Sequence, residues 1–193
     1  MTVKKIIGLV LIALTIMPII PMQSAQAYIL GYCKWSPMGV LSLSYGNVNL
    51  TSSIWQSANL SILAWQNITP QITLNYKANT SQATIQFVSA NFSNNNGLAT
   101  TVLHKTSSGY CYKVVILVDE NKMQGLEQQQ IMQILGHEFG HALGVAHSDN
   151  PNSIMTGDTN PWQSYRTFVA GKDEFLALQE LYGSNNISWG ITE

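Results

Sequence analysis

Charge is scarce in this sequence. Charged residues make up 10% of its 193 positions, and the nine Lys and Arg are scattered rather than gathered into a run. With a formal net charge of -1 the chain lacks the electrostatic footprint of a nucleic-acid binder, and nucleic acid is set aside as a partner. Repeats are missing too, as are Pro/Gly/Ser linkers of the kind that separate domains. With 46% hydrophobic residues this favours one folded unit over two. Nor is there a spanning segment: the apolar stretch from Ile6 to about Ile20 is short of the roughly 20 residues a membrane helix needs, and Pro18 breaks it. Lys4 and Lys5 precede it, and Ser24-Ala25-Gln26-Ala27 follows in the small-x-small form of a signal-peptidase site. We therefore expect residues 1–27 to be a cleaved export signal, residues 28–193 to be the mature domain, and the protein to be secreted. An uncleaved signal would leave it on the cell surface.

Cysteine is nearly absent as well. In an oxidising compartment the lone pair, Cys33 and Cys111, most simply forms one disulfide tying the mature N-terminus to the middle of the chain. The rival is a thiolate ligand plugging a metal site, which would leave the other cysteine unpaired outside the cell. Sequons at Asn49, Asn59, Asn67, Asn79, Asn91 and Asn186 agree with export but carry little weight in so Asn-rich a chain.

What is present begins with periodicity. Val40–Tyr45, Ile72–Tyr76 and Thr84–Val88 alternate apolar with polar residues and predict half-buried strands. Val114–Val118 is a continuous apolar run, as expected of a strand covered on both faces. Ile54, Ala58, Ile62 and Trp65 recur at helical spacing, with Thr51, Ser52 and Ser53 available as caps and Pro70 closing the segment. A second helix is predicted from about Glu127 through Leu143, with Ile131, Ile134, Leu135 and Ala142 on its apolar side. A third, from about Lys172 to Tyr182, carries Phe175, Leu178 and Leu181 on one stripe and stops at Gly183. The pattern is a sheet covered by helices, an α+β fold.

Histidine is scarce too, yet three of the four stand within residues 137–147, in His137-Glu138-Phe139-Gly140-His141-Ala142-Leu143-Gly144-Val145-Ala146-His147. On a helix, residues four apart face nearly the same way, so His137 and His141 can aim at one ion. Glu138 lies on an adjacent line, able to reach a water held by that ion. Gly144 falls where the helix must end and can take the left-handed conformation that turns the chain back, bringing in His147. Three neutral imidazoles with an open fourth position are what a catalytic Zn²⁺ requires. Zinc lowers the pKa of its water and polarises a carbonyl, with Glu138 as general base. The reaction class is amide hydrolysis.

The extended motif resembles that of the metzincin zinc endopeptidases, with Ile154-Met155 matching their Met-turn. Ser148, the Asp149–Pro151 run and the spacing to Met155 are similar to the matrixin, or matrix-metalloproteinase-like, branch. So are Ala64–Pro70 at the end of the first helix, Ala83–Phe87 in a strand, and Asp173–Gly183 at the C-terminal helix. The resemblance implies a metzincin-like zincin fold: a twisted five-stranded mixed sheet, three helices, an active-site helix and a Met-turn. It also implies one catalytic zinc on His137, His141 and His147, and a peptide or protein substrate extended along an edge strand, for which Gly97–Leu103 is the candidate. A monomer is expected. The sequence also departs from the family. No Pro-Arg-Cys-Gly latency motif lies between Ala27 and the domain. His104 is the sole spare histidine for a second zinc, and structural calcium finds no assigned residues. After Met155 comes Thr156-Gly157-Asp158 in place of Tyr-Pro, leaving Trp162 and Tyr165 to line the specificity pocket or pack below it. Two other readings compete: a metzincin-like module that binds peptides or surface proteins without turnover, and a wall-associated structural protein without metal.

Overall fold

Two short strands, β1 (Tyr28–Leu30) and β2 (Lys34–Trp35), lead into the main sheet of the computed structural model. It describes residues 28–30, 34–36, 42–69, 72–92, 97–157 and 170–183. Strand β3 (Ser42–Val48) passes into helix α1 (Ser52–Ile68) and the chain returns as β4 (Thr73–Tyr76), parallel to β3 with Leu43 opposite Leu74. Strands β5 (Ile85–Ser89), β6 (Ala99–Lys105) and β7 (Tyr110–Val118) complete the order β4-β3-β5-β7-β6. All pairings are parallel except β6 with β7, so β6 is an antiparallel edge. These are the expected five mixed strands. The two residues of β2 add a sixth, pairing with Tyr110 and Cys111 of β7 on the side opposite β6.

Helix α2 (Gln128–Ala142) follows, then β8 (Val145–Ser148), which pairs antiparallel with β1 in a separate two-stranded sheet, and finally α3 (Lys172–Tyr182). Ile54, Ala58, Ile62 and Trp65 of α1 are all buried, as are Phe175 and Leu178 of α3, as their spacing predicts. The expectation for Val114–Val118 needs correction. Val114, Ile116 and Val118 are fully buried, but Val115 and Leu117 on the other face are only half-buried. The helices pack on one face: Phe87 of β5 stacks on Phe139 of α2, ring centroids 6.2 Å apart, and meets Trp55 of α1 edge-on. A continuous apolar run cannot by itself distinguish one covered face from two.

Small residues bring α1 and α2 together. Ser61 donates to the Met132 carbonyl at 2.7 Å, and the Trp65 indole donates to the Gly136 carbonyl at 2.8 Å. A β-carbon on Gly136 would come within 2.7 Å of Ile154. Among the described residues no helix is long and apolar enough to cross a membrane. The export segment 1–27, Cys33, Pro70, Asn94 to Asn96, Asp158, Trp162, Tyr165 and Asn186 lie outside the described residues.

Candidate active site

Helix α2 carries most of the site, and its two ends fix where. At its start Glu127 caps the helix in a reciprocal box, its own N–H donating to the Gln130 side chain at 2.8 Å. Ile131, Leu135, Phe139 and Ala142 are buried in the core, while His137 and His141 are half-buried. At its end Gly144 adopts φ 91°, a left-handed conformation in which a side chain would be strained. The chain reverses there into β8 and brings His147 alongside.

The three histidines converge. One potential ligand nitrogen from each of His137, His141 and His147 lies within 4.8 Å of the others, and the ring centroids are 4.7 to 5.1 Å apart. Orientation is fixed from behind. The Nδ1–H of His137 donates to the Ile154 carbonyl and that of His141 to the Val145 carbonyl, each at 2.8 Å. Since a carbonyl can only accept, both Nε2 atoms are left as acceptors, the tautomer a metal needs. Burial, and secondarily the charge of His141, holds His147 below the usual imidazole range and favours its neutral form. This donor set fits zinc with one position left for solvent or substrate.

Glu138 sits half-buried between the first two histidines. Burial raises its carboxyl above the usual range, while the Thr101 hydroxyl and the charge of His141 oppose the rise. Thr101 belongs to edge strand β6, and its Oγ1 stands 2.6 Å from Oε2 of Glu138. No motif in the sequence marks it. The available signal was a polar residue between Ala99 and Leu103 on the inward-facing positions of an edge strand.

Met155 lies fully buried beneath the helix. Its carbonyl accepts from Ser148 N–H at 2.7 Å, tying the turn to the strand that bears His147. Glycine at position 140 makes the fit possible, because a β-carbon there would lie 2.2 Å from the Met155 sulfur and 2.7 Å from the Trp65 ring. The turn is held from below by Glu174 of α3, 2% exposed, which accepts from the Ser153 hydroxyl and from Gly171 N–H. Ser153 in turn accepts from Met155 N–H at 2.9 Å. His104 lies apart from the triad, its ring 6.1 Å from Tyr112. Cys111 is buried in β7, in register with Trp35.

A His-Glu-x-x-His helix is common to many zinc hydrolases. The glycine bend that returns a third histidine, and the methionine packed under the helix, match the metzincin pattern. The chain belongs to the matrixin family, whose model matches residues 43–183. It is 37% identical to human matrix metalloproteinase-15 over 59 residues, 31% of this chain and 9% of that protein. It is 27% identical to the probable matrix metalloproteinase 095L of Invertebrate iridescent virus 3 over 172 residues, 80% of this chain and 44% of that protein. The matches thus span less than half the length of these curated relatives. A crystal structure of myroilysin superposes with a TM-score of 0.49 at 14% identity, over 84% of this chain and 96% of that one.

Proposed function

We propose that this protein is an exported endopeptidase that hydrolyses peptide bonds, with His137, His141 and His147 holding one zinc ion and Glu138 acting as general base. The observation that carries the reading is the convergence of the three imidazoles, with two of them locked by backbone carbonyls into the metal-ready tautomer. Bound zinc would supply a lowered water pKa and a polarised scissile carbonyl. The chain's own groups do the rest. Glu138 removes a proton from the attacking water as its oxygen bonds to the carbonyl carbon. It then returns that proton to the departing amine nitrogen as the C–N bond breaks. Edge strand β6 offers backbone groups to an extended substrate, a strand-addition mode in which main-chain bonds supply affinity and side-chain pockets supply selectivity. Met155 serves as the apolar floor under the histidines.

Export and a Cys33–Cys111 disulfide belong to the same reading. Two observations support the disulfide: Trp35, two residues after Cys33, pairs with Cys111, and no described cysteine is a free thiol. Structural calcium is assigned to no residues. A carboxylate at Glu138, within electrostatic reach of His141, gives the non-catalytic module no support.

The test is a metal assay paired with a peptide-library cleavage profile. One zinc per chain, cleavage abolished by a strong chelator and restored by zinc, and a Glu138→Ala variant that keeps the metal but loses at least about 100-fold in cleavage are expected. Cleavage that persists in the chelated protein, or at the parental rate in Glu138→Ala, would overturn the assignment.

A further inference from the structure

Resting on the peptidase reading, we propose that Thr101 is a positioning residue for the general base, holding Glu138 in the rotamer from which one carboxylate oxygen faces the reacting water. The geometry is specific. Thr101 Oγ1 lies 2.6 Å from Oε2 of Glu138 and 3.0 Å from the Glu138 backbone carbonyl. The hydroxyl has one hydrogen, and the shorter contact to the charged oxygen takes it. With Oε2 engaged, Oε1 is the oxygen left for proton transfer.

Two features make Thr101 a precise anchor. Threonine is β-branched, so its χ1 is stiff and the hydroxyl direction is set by the strand rather than by a flexible stem. The strand itself is fixed: Thr101 pairs with Ile116 of β7, whose side chain is fully buried in the core. The neighbours on the same face of β6, Ala99 and Leu103, carry no polar group and cannot substitute for it. A glutamate otherwise loses rotamer freedom only at an entropic cost, and that cost is met before substrate arrives. The Thr101 hydroxyl contacts the Glu138 carboxylate and backbone carbonyl, and it acts through that carboxylate. Because β6 is also the edge along which substrate would lie, the strand that seats the peptide also sets the base.

The test compares wild type, Thr101→Val, Thr101→Ser and Glu138→Ala. Valine keeps the shape and removes the donor, and serine keeps the donor. Thr101→Val is expected to hold one zinc per chain, with its melting temperature and its KM close to wild type, while kcat falls about 10- to 100-fold, the usual effect of removing an outer hydrogen-bond partner. Thr101→Ser is expected to recover most of that loss. A peptide hydroxamate, whose hydroxyl needs the carboxylate as acceptor, should bind Thr101→Val more weakly by about tenfold. A peptide thiol, which makes no such demand, should bind both proteins equally. A wild type that cleaves and is matched in kcat by Thr101→Val overturns this inference alone. So does a loss in Thr101→Val that tracks zinc or melting temperature and is not rescued by serine. A wild type that binds zinc and cleaves nothing overturns the peptidase reading and this inference with it.

Discussion

At the scale of single residues, the site depends on an atom that is missing. Gly140 lies one position before His141, and its bare α-carbon lets the Met155 sulfur and the Trp65 ring approach the helix. In Gly140→Ala the new methyl would meet both, and only Met155 has a flexible end that can yield. Overpacking of this kind costs about 1–3 kcal/mol, even though alanine is the better helix former. Urea unfolding of the chelated variant should show that loss, and zinc affinity should fall with it as the turn carrying the Ile154 carbonyl is pushed away from His137. Much of this was legible beforehand. The three histidines converge as their spacing predicts, and Met155 is buried. The acceptors that orient the rings were not legible, because Ile154 and Val145 act through backbone carbonyls that any residue would provide. Thr101 stayed hidden for another reason: it is 37 positions from Glu138, and no local pattern links a strand hydroxyl to a helix carboxylate.

At the scale of elements, helix α2 is the part whose ends must be secured, since its last turn bears His141. A helix leaves its final carbonyls without intrahelical donors, and here two distant side chains supply them. The Trp35 indole donates to the Ala142 carbonyl at 2.9 Å, and the Tyr182 phenol donates to the Leu143 carbonyl at 2.7 Å. Burial pushes the Tyr182 phenol well above its ordinary pKa, so it remains a donor. Thus β2 from the N-terminal segment and α3 from the C-terminal one both close the active-site helix. Tyr182→Phe removes one donor with little change of shape and strands the carbonyl of fully buried Leu143. We expect a loss of about 1–3 kcal/mol in denaturant unfolding, with weaker zinc retention in a chelator competition. The existence of α2 and α3 was readable from periodicity and from glycines 144 and 183. Their mutual bracing was not, because it joins positions 39 apart through one phenol.

At the scale of the whole molecule, acid should act in two separate steps. A ligand that binds the folded state alone stabilises it, and zinc requires neutral imidazoles, so protons compete with it in the histidine range near about pH 6.5. The second step concerns Asp119, 1% exposed at the end of β7, where the sheet passes into the loop before α2. Its carboxylate accepts from Phe92 N–H at 2.9 Å and lies 3.5 Å from the Lys122 ammonium, tying the β5–β6 connection to the β7–α2 connection. The Phe92 hydrogen bond, against the effect of burial and with help from Lys122, holds its pKa below the ordinary value. A depressed carboxyl pKa means that the unfolded chain takes up protons first. Its contribution is therefore intact above the unfolded value near about 3.9 and is lost as pH falls through the lower folded one. His147 has the same sign: its lowered pKa makes even the zinc-free protein lose some stability as pH drops below the ordinary imidazole value. Zinc-loaded protein, followed by unfolding free energy against pH, should accordingly fall steeply in the histidine range and again below about pH 4. Chelated protein should show a shallow first fall and an unchanged second. Asp119→Asn should flatten the second fall while leaving the first in place. A first fall equally steep with and without zinc would mean that the imidazoles are not what holds the metal.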